Sequence, residues 1–224
     1  MMRKPVVDYR EFRLNKLNTP EFSHLKLLLG WVGYFALYFL TENLIPAEKC
    51  IPVHCFLDDI IPFNEFFLIP YVGWYLLIVV SLLYFMLYNV DNFKRLQIFI
   101  ITTQITAMVI YILIPTRQDL RPLVFPRDNF LTDCINFLYT FDTNTGVCPS
   151  LHCAYSFGIA SIWLKEKSAS KLVKVFIVIF VALICASTMF IKQHSAVDFF
   201  AAIPVGILAE IIACGSYWKA KLSK

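Results

Sequence analysis

Phe66 to Tyr88 runs for 23 residues without a formal charge, and Leu96 to Ile114 for 19. A helix of about 20 residues reaches roughly 30 Å, the thickness of the hydrocarbon layer of a bilayer. Lipid offers no water to backbone N–H and C=O groups, so only helices and closed barrels cross it. These runs are continuously apolar rather than alternating, which selects helices. Composition agrees, because 58% hydrophobic and 16% charged residues are beyond what a water-soluble domain of this size carries.

Six spans are expected: Leu27 to Ile45, Phe66 to Tyr88, Leu96 to Ile114, Pro149 to Leu164, Val175 to Ile191 and Phe199 to Trp218. They make an all-α, six-transmembrane-helix bundle over residues 27–218, between an N-terminal segment, 1–26, and a short tail, 219–224. Residues 1–24 mix acids and bases and show no apolar core or cleavage site, so the first span is expected to stay as an anchor. With the N-terminus inside, Lys and Arg divide 15 to 5 in favour of the inner segments. Both termini are therefore expected in the cytoplasm, with the plasma membrane as the expected location. The longer connections, 46–65 and 116–148, then lie outside. The net charge of +4 hints weakly at anionic lipid and gives no reason to propose nucleic acid.

Ionisable residues gather at one membrane face. His194 and Asp198 are four apart, so on a helix they share a face, and a carboxylate on one imidazole nitrogen leaves the other free to attack or to accept a proton. His152 comes from another helix end at the same depth and could protonate a leaving group. Arg117 and Arg121 offer forked donors suited to phosphate oxygens. The helix start beside Ser150 offers backbone N–H groups to an anion. Two His and one Asp could also hold zinc, but the nearby arginines would repel a cation, so neither metal nor other cofactor is expected. His24 and His54, each alone near a helix end, read as interfacial residues. Glu210, inside the last span, is expected to pair or snorkel. Cys50, Cys55, Cys134 and Cys148 all fall in the outer connections, where an oxidising compartment would permit disulfides.

The motifs resemble those of the type 2 phosphatidic acid phosphatase superfamily, whose pattern is Lys-x6-Arg-Pro, Pro-Ser-x-His and Ser-Arg-x5-His-x3-Asp. Arg121-Pro122 matches the end of the first motif, Pro149-Ser150-Leu151-His152 the second, and Ser187 with His194 and Asp198 the third. Ile114 and Thr188 stand where the pattern has Lys and Arg. The resemblance implies that His194 forms a phosphohistidine, that Asp198 orients it and that His152 protonates the leaving oxygen. Arg121 and Ser150 would hold the phosphate. Arg117 and Lys192, each one turn from a motif position, are expected to replace the two absent cations. The implied activity is hydrolysis of a lipid phosphate monoester or diphosphate, of phosphatidate or polyprenyl type, within membrane lipid. A lipid phosphotransferase of the sphingomyelin or inositol-phosphorylceramide synthase type, and a non-catalytic remnant pocket, are the alternatives.

Overall fold

The computed structural model describes residues 4–223; Arg3 and Lys224, both counted in the charge split, lie outside them. The described residues form eight α-helices: α1 (Leu29–Leu44), α2 (Phe56–Ile60), α3 (Leu68–Tyr88), α4 (Val90–Leu113), α5 (Phe130–Phe141), α6 (Leu151–Lys165), α7 (Lys171–Phe190) and α8 (Ala196–Leu222). Short strands β1 (Ile51–Pro52) and β2 (Thr116–Arg117) pair in parallel.

Five helical segments have the length and apolarity to cross a membrane, the first being Ser23–Leu44, in which a 3-10 stretch, Ser23–Leu28, leads into α1; their outward faces carry Val, Ile, Leu and Phe. The fourth expected span differs. α6 is only 15 residues, about 22 Å of helix, and it starts at Leu151 because Ser150 is its N-cap, accepting from Cys153 N. Pro149 thus precedes the helix instead of opening it. Among the described residues five segments, not the expected six, have the length of a membrane span; α6 is instead wrapped by protein, with Cys153, Ala154, Tyr155, Ile159 and Ile162 almost wholly buried. α4 packs against α1, α3, α6 and α8. At its crossing with α6, a Cβ on Gly158 would stand 2.4 Å from the Phe99 ring, so glycine alone permits this approach.

The connections gather at two ends. At one, Tyr9 donates to Met86 O, Glu166 accepts from Asn89 and Asn92, and Lys165 pairs with Glu210 at 2.6 Å. Glu210 is thus paired, as its place in an apolar span requires. At the other end, loops 45–67, 114–150 and 191–195 interlock. These are not plain loops: 46–65 contains β1 and α2, and 116–148 contains β2 and α5. α5 buries Ile135 and Leu138 against Leu68 and Tyr71 and leaves Phe130, Phe137 and Phe141 exposed, the pattern of a helix lying at an interface. Cys50, Cys55, Cys134 and Cys148 are free thiols, so the permitted disulfides are not formed.

Candidate active site

The turn between α7 and α8 builds the centre of the site. Lys192 takes a left-handed conformation, φ 56°, and the N–H groups of Gln193 and His194 fold back onto Thr188 O at 2.9 and 3.0 Å. Such a reversal satisfies the orphan carbonyls of a helix end. α8 then starts at Ala196 under a capping box in which Ser195 is the N-cap and the Asp198 side chain accepts from Ser195 N at 3.0 Å. The same carboxylate oxygen meets His194 Nδ1 at 3.1 Å. His194 therefore lies before the helix and reaches Asp198 across the capping turn, not along a shared helix face.

His152, near the start of α6, brings its ring to 5.6 Å from that of His194, centroid to centroid. Tyr71 stacks on His152 at 4.6 Å and Trp74 packs at 4.1 Å. Ser150 N donates to Asp198 O at 3.1 Å, tying the two motifs together through the backbone. Burial works against a charge on His194, but the hydrogen bond and the charge of Asp198 outweigh it and hold the imidazole above its ordinary range.

The four expected phosphate ligands fare differently. Arg121 donates to Tyr139 O, Asp142 O and Gln193 Oε1, and covers the Tyr139 ring at 4.3 Å. It meets the site through Gln193, the neighbour of His194, and its buried Nε has no protein acceptor. Ser150 is fully buried as a helix cap. Arg117 points elsewhere: segment 116–117 is a strand rather than a helical turn, and its guanidinium serves Asp119 and Ala47 O. Lys192 also turns away, donating to Asp58 O at 2.9 Å and Ile61 O at 2.6 Å. The one-turn spacing that suggested both replacements assumed helix where the backbone is extended or reversed. Ile114 and Thr188 leave no cation at the motif positions, and Thr188 is buried with its hydroxyl on Cys185 O.

Sequence reasoning missed a cavity of about 510 Å³ between α1 and α3 that ends on His152 and His194. Its walls are mostly aromatic: Trp31, Tyr34 and Tyr38 from α1, Trp74 and Tyr75 from α3, and Tyr155 from α6. Asp142 and Gln193 close the polar end, where Tyr71 donates to Asp142 at 2.5 Å. No Lys or Arg among the described residues lines it. The aromatic spacing on α1 was visible in the sequence, but that it faces the histidines was not. Among the described residues no group of three or more His, Cys, Asp and Glu is placed to hold a metal ion.

No protein-family model matches this chain, and no curated protein does. Among solved structures, the crystal structure of Aquifex aeolicus LpxE is similar over 81% of this chain and 94% of that one, at 19% identity and a TM-score of 0.49. A likeness of that degree leaves the functional reading to the geometry of the site itself.

Proposed function

We propose that this protein is a membrane-embedded phosphatase of lipid phosphates or diphosphates, working at the extracytoplasmic face of the plasma membrane. The observation that carries the reading is the cavity: an aromatic slot between membrane-crossing helices ends on two histidines and a carboxylate. An apolar tail fits the slot, and a phosphorus atom at its end would lie beside His194 Nε2.

In this scheme Asp198 fixes Nδ1, and neutral Nε2 attacks phosphorus. The P–O bond to the lipid breaks while His152 gives its proton to the leaving oxygen. Water, losing a proton to His152, then attacks the phosphohistidine, breaking the P–N bond and releasing inorganic phosphate. Backbone N–H groups at the start of α6 stabilise the equatorial oxygens, and Arg121, donating to Gln193 Oε1, holds that side chain at the polar end of the cavity. The scheme draws on no metal.

Asp142 favours a second reading. A polar end with a carboxylate and no Lys or Arg suits an acceptor alcohol, whose hydroxyl Asp142 could orient toward the phosphohistidine. That enzyme would be a lipid phosphotransferase. The test is purified protein in detergent with EDTA, given lipid phosphates with and without diacylglycerol or ceramide. Free phosphate supports the phosphatase, and acceptor-dependent transfer supports the second reading. Binding without turnover indicates a remnant pocket, and neither binding nor turnover overturns all three.

A further inference from the structure

The first outer connection reaches the catalytic turn through one buried carboxylate. Asp58, on α2, is 5% exposed. Its Oδ2 accepts from Ser195 Oγ at 2.6 Å and from Cys55 N at 2.8 Å, and its Oδ1 accepts from Ala196 N at 2.7 Å. Lys192 Nζ donates to the carbonyls of Asp58 and Ile61, and Asn64 N donates to Phe190 O at 3.0 Å. These contacts bracket Gln193 and His194 on both sides.

We propose that Asp58 is a positioning residue for His194, acting through Ser195 and Ala196. Ser195 is the cap whose backbone N–H holds the Asp198 carboxylate, and that carboxylate holds His194 Nδ1. Moving Ser195 therefore moves the group that sets both the tautomer and the aim of Nε2. Burial works against charge on Asp58, but the Ser195 hydroxyl and the Ala196 and Cys55 amides outweigh it and hold the carboxyl below the usual range. A charge-assisted bond set of this kind is stiffer than a neutral cap. The outer connection 46–65 is thus part of the site, although it supplies no reacting atom.

The activity arm of the test rests on the phosphatase reading; the spectroscopic arm does not. The chain has four histidines, so histidine-labelled protein in detergent gives four NMR titrations, with His194 assigned by its loss in His194→Asn. His194 is faced by Asp198 on α8, by His152 and Cys153 on α6 and by Asp142 after α5, and all of these are left in place. Asp58→Asn and Ser195→Ala should each lower the midpoint of His194 by about one unit, a tenfold change in its proton affinity. The double variant should lower it no further, because both act along one path. In the activity arm kcat should fall roughly 10- to 100-fold while KM stays within about threefold. If Asp58→Asn does not fold, Ser195→Ala together with Lys192→Met reads the same linkage. An unmoved His194 midpoint in the single variants, or additive shifts in the double, overturns the proposal. Inactive wild-type protein that still shows the shared shift would sink the phosphatase reading and leave this one standing.

Discussion

His194 binds a proton more tightly than an ordinary imidazole, and the sign of two pH effects follows. In the proposed mechanism the attacking nitrogen must be unprotonated, so kcat/KM should rise with pH, its acid limb lying above the ordinary value of 6.5. A limb below 6.5 would contradict the assignment. Stability runs the other way. A folded pKa raised above the unfolded one gives stabilisation that is complete below about 6.5 and lost as pH climbs through the folded value. The thermal midpoint of wild type should therefore exceed that of His194→Gln most at acid pH, with the gap narrowing as pH rises. His194→Ala should bring turnover to background, and His152→Ala should cost about 100- to 10,000-fold. Asp198→Asn should leave measurable but strongly reduced kcat, since that residue orients and does not react. Near wild-type turnover in His194→Ala would remove the mechanism.

At the scale of elements, the loops do more than connect. Lys192 joins the α7–α8 turn to the end of α2 with two charge-assisted hydrogen bonds. Lys192→Met leaves both carbonyls without that donor and should cost about 1.5–3 kcal/mol per lost bond as an upper range. A stability loss in detergent unfolding checks this. Arg117→Gln, whose parent touches Asp119 and Ala47 O, should leave kcat within about threefold of wild type. Arg121→Gln should lower it roughly 30-fold or more. A large loss of kcat in Arg117→Gln would return that residue to the phosphate site.

For the whole molecule, the proposed function makes the cavity the element that selects among lipids. Its wall on α3 runs from Trp74 to Leu82, about 12 Å of helix. Ile78→Trp halfway along should raise KM for long-chain substrates far more than for short-chain ones, with kcat for the short chain little changed; equal effects on both would place the tail elsewhere. The α4–α6 crossing is the other test of the assembly. Gly158→Val must displace the Phe99 ring, and overpacking of this kind costs about 1–3 kcal/mol, read as a lower unfolding midpoint.

That His152, His194 and Asp198 would meet was legible early because they lie in short motifs beside the ends of apolar runs. The two-ended arrangement was also legible, since hydropathy is a local property and successive crossings alternate ends. The sequence by itself thus determined a helical, membrane-crossing chain with two histidines and an aspartate at one end. Tertiary structure decided the rest. Asp58 meets Ser195 across 137 positions, and no local spacing signals such a contact. Arg117 and Lys192 were misdirected because their side chains follow a strand and a left-handed turn, whose directions depend on what packs around them. α6 falls short of a span because its helix starts only after the cap Ser150, and neighbouring helices bury most of its surface. The cavity arises because α1 packs on α4 and leaves a gap toward α3, a consequence of helix placement that no single helix encodes.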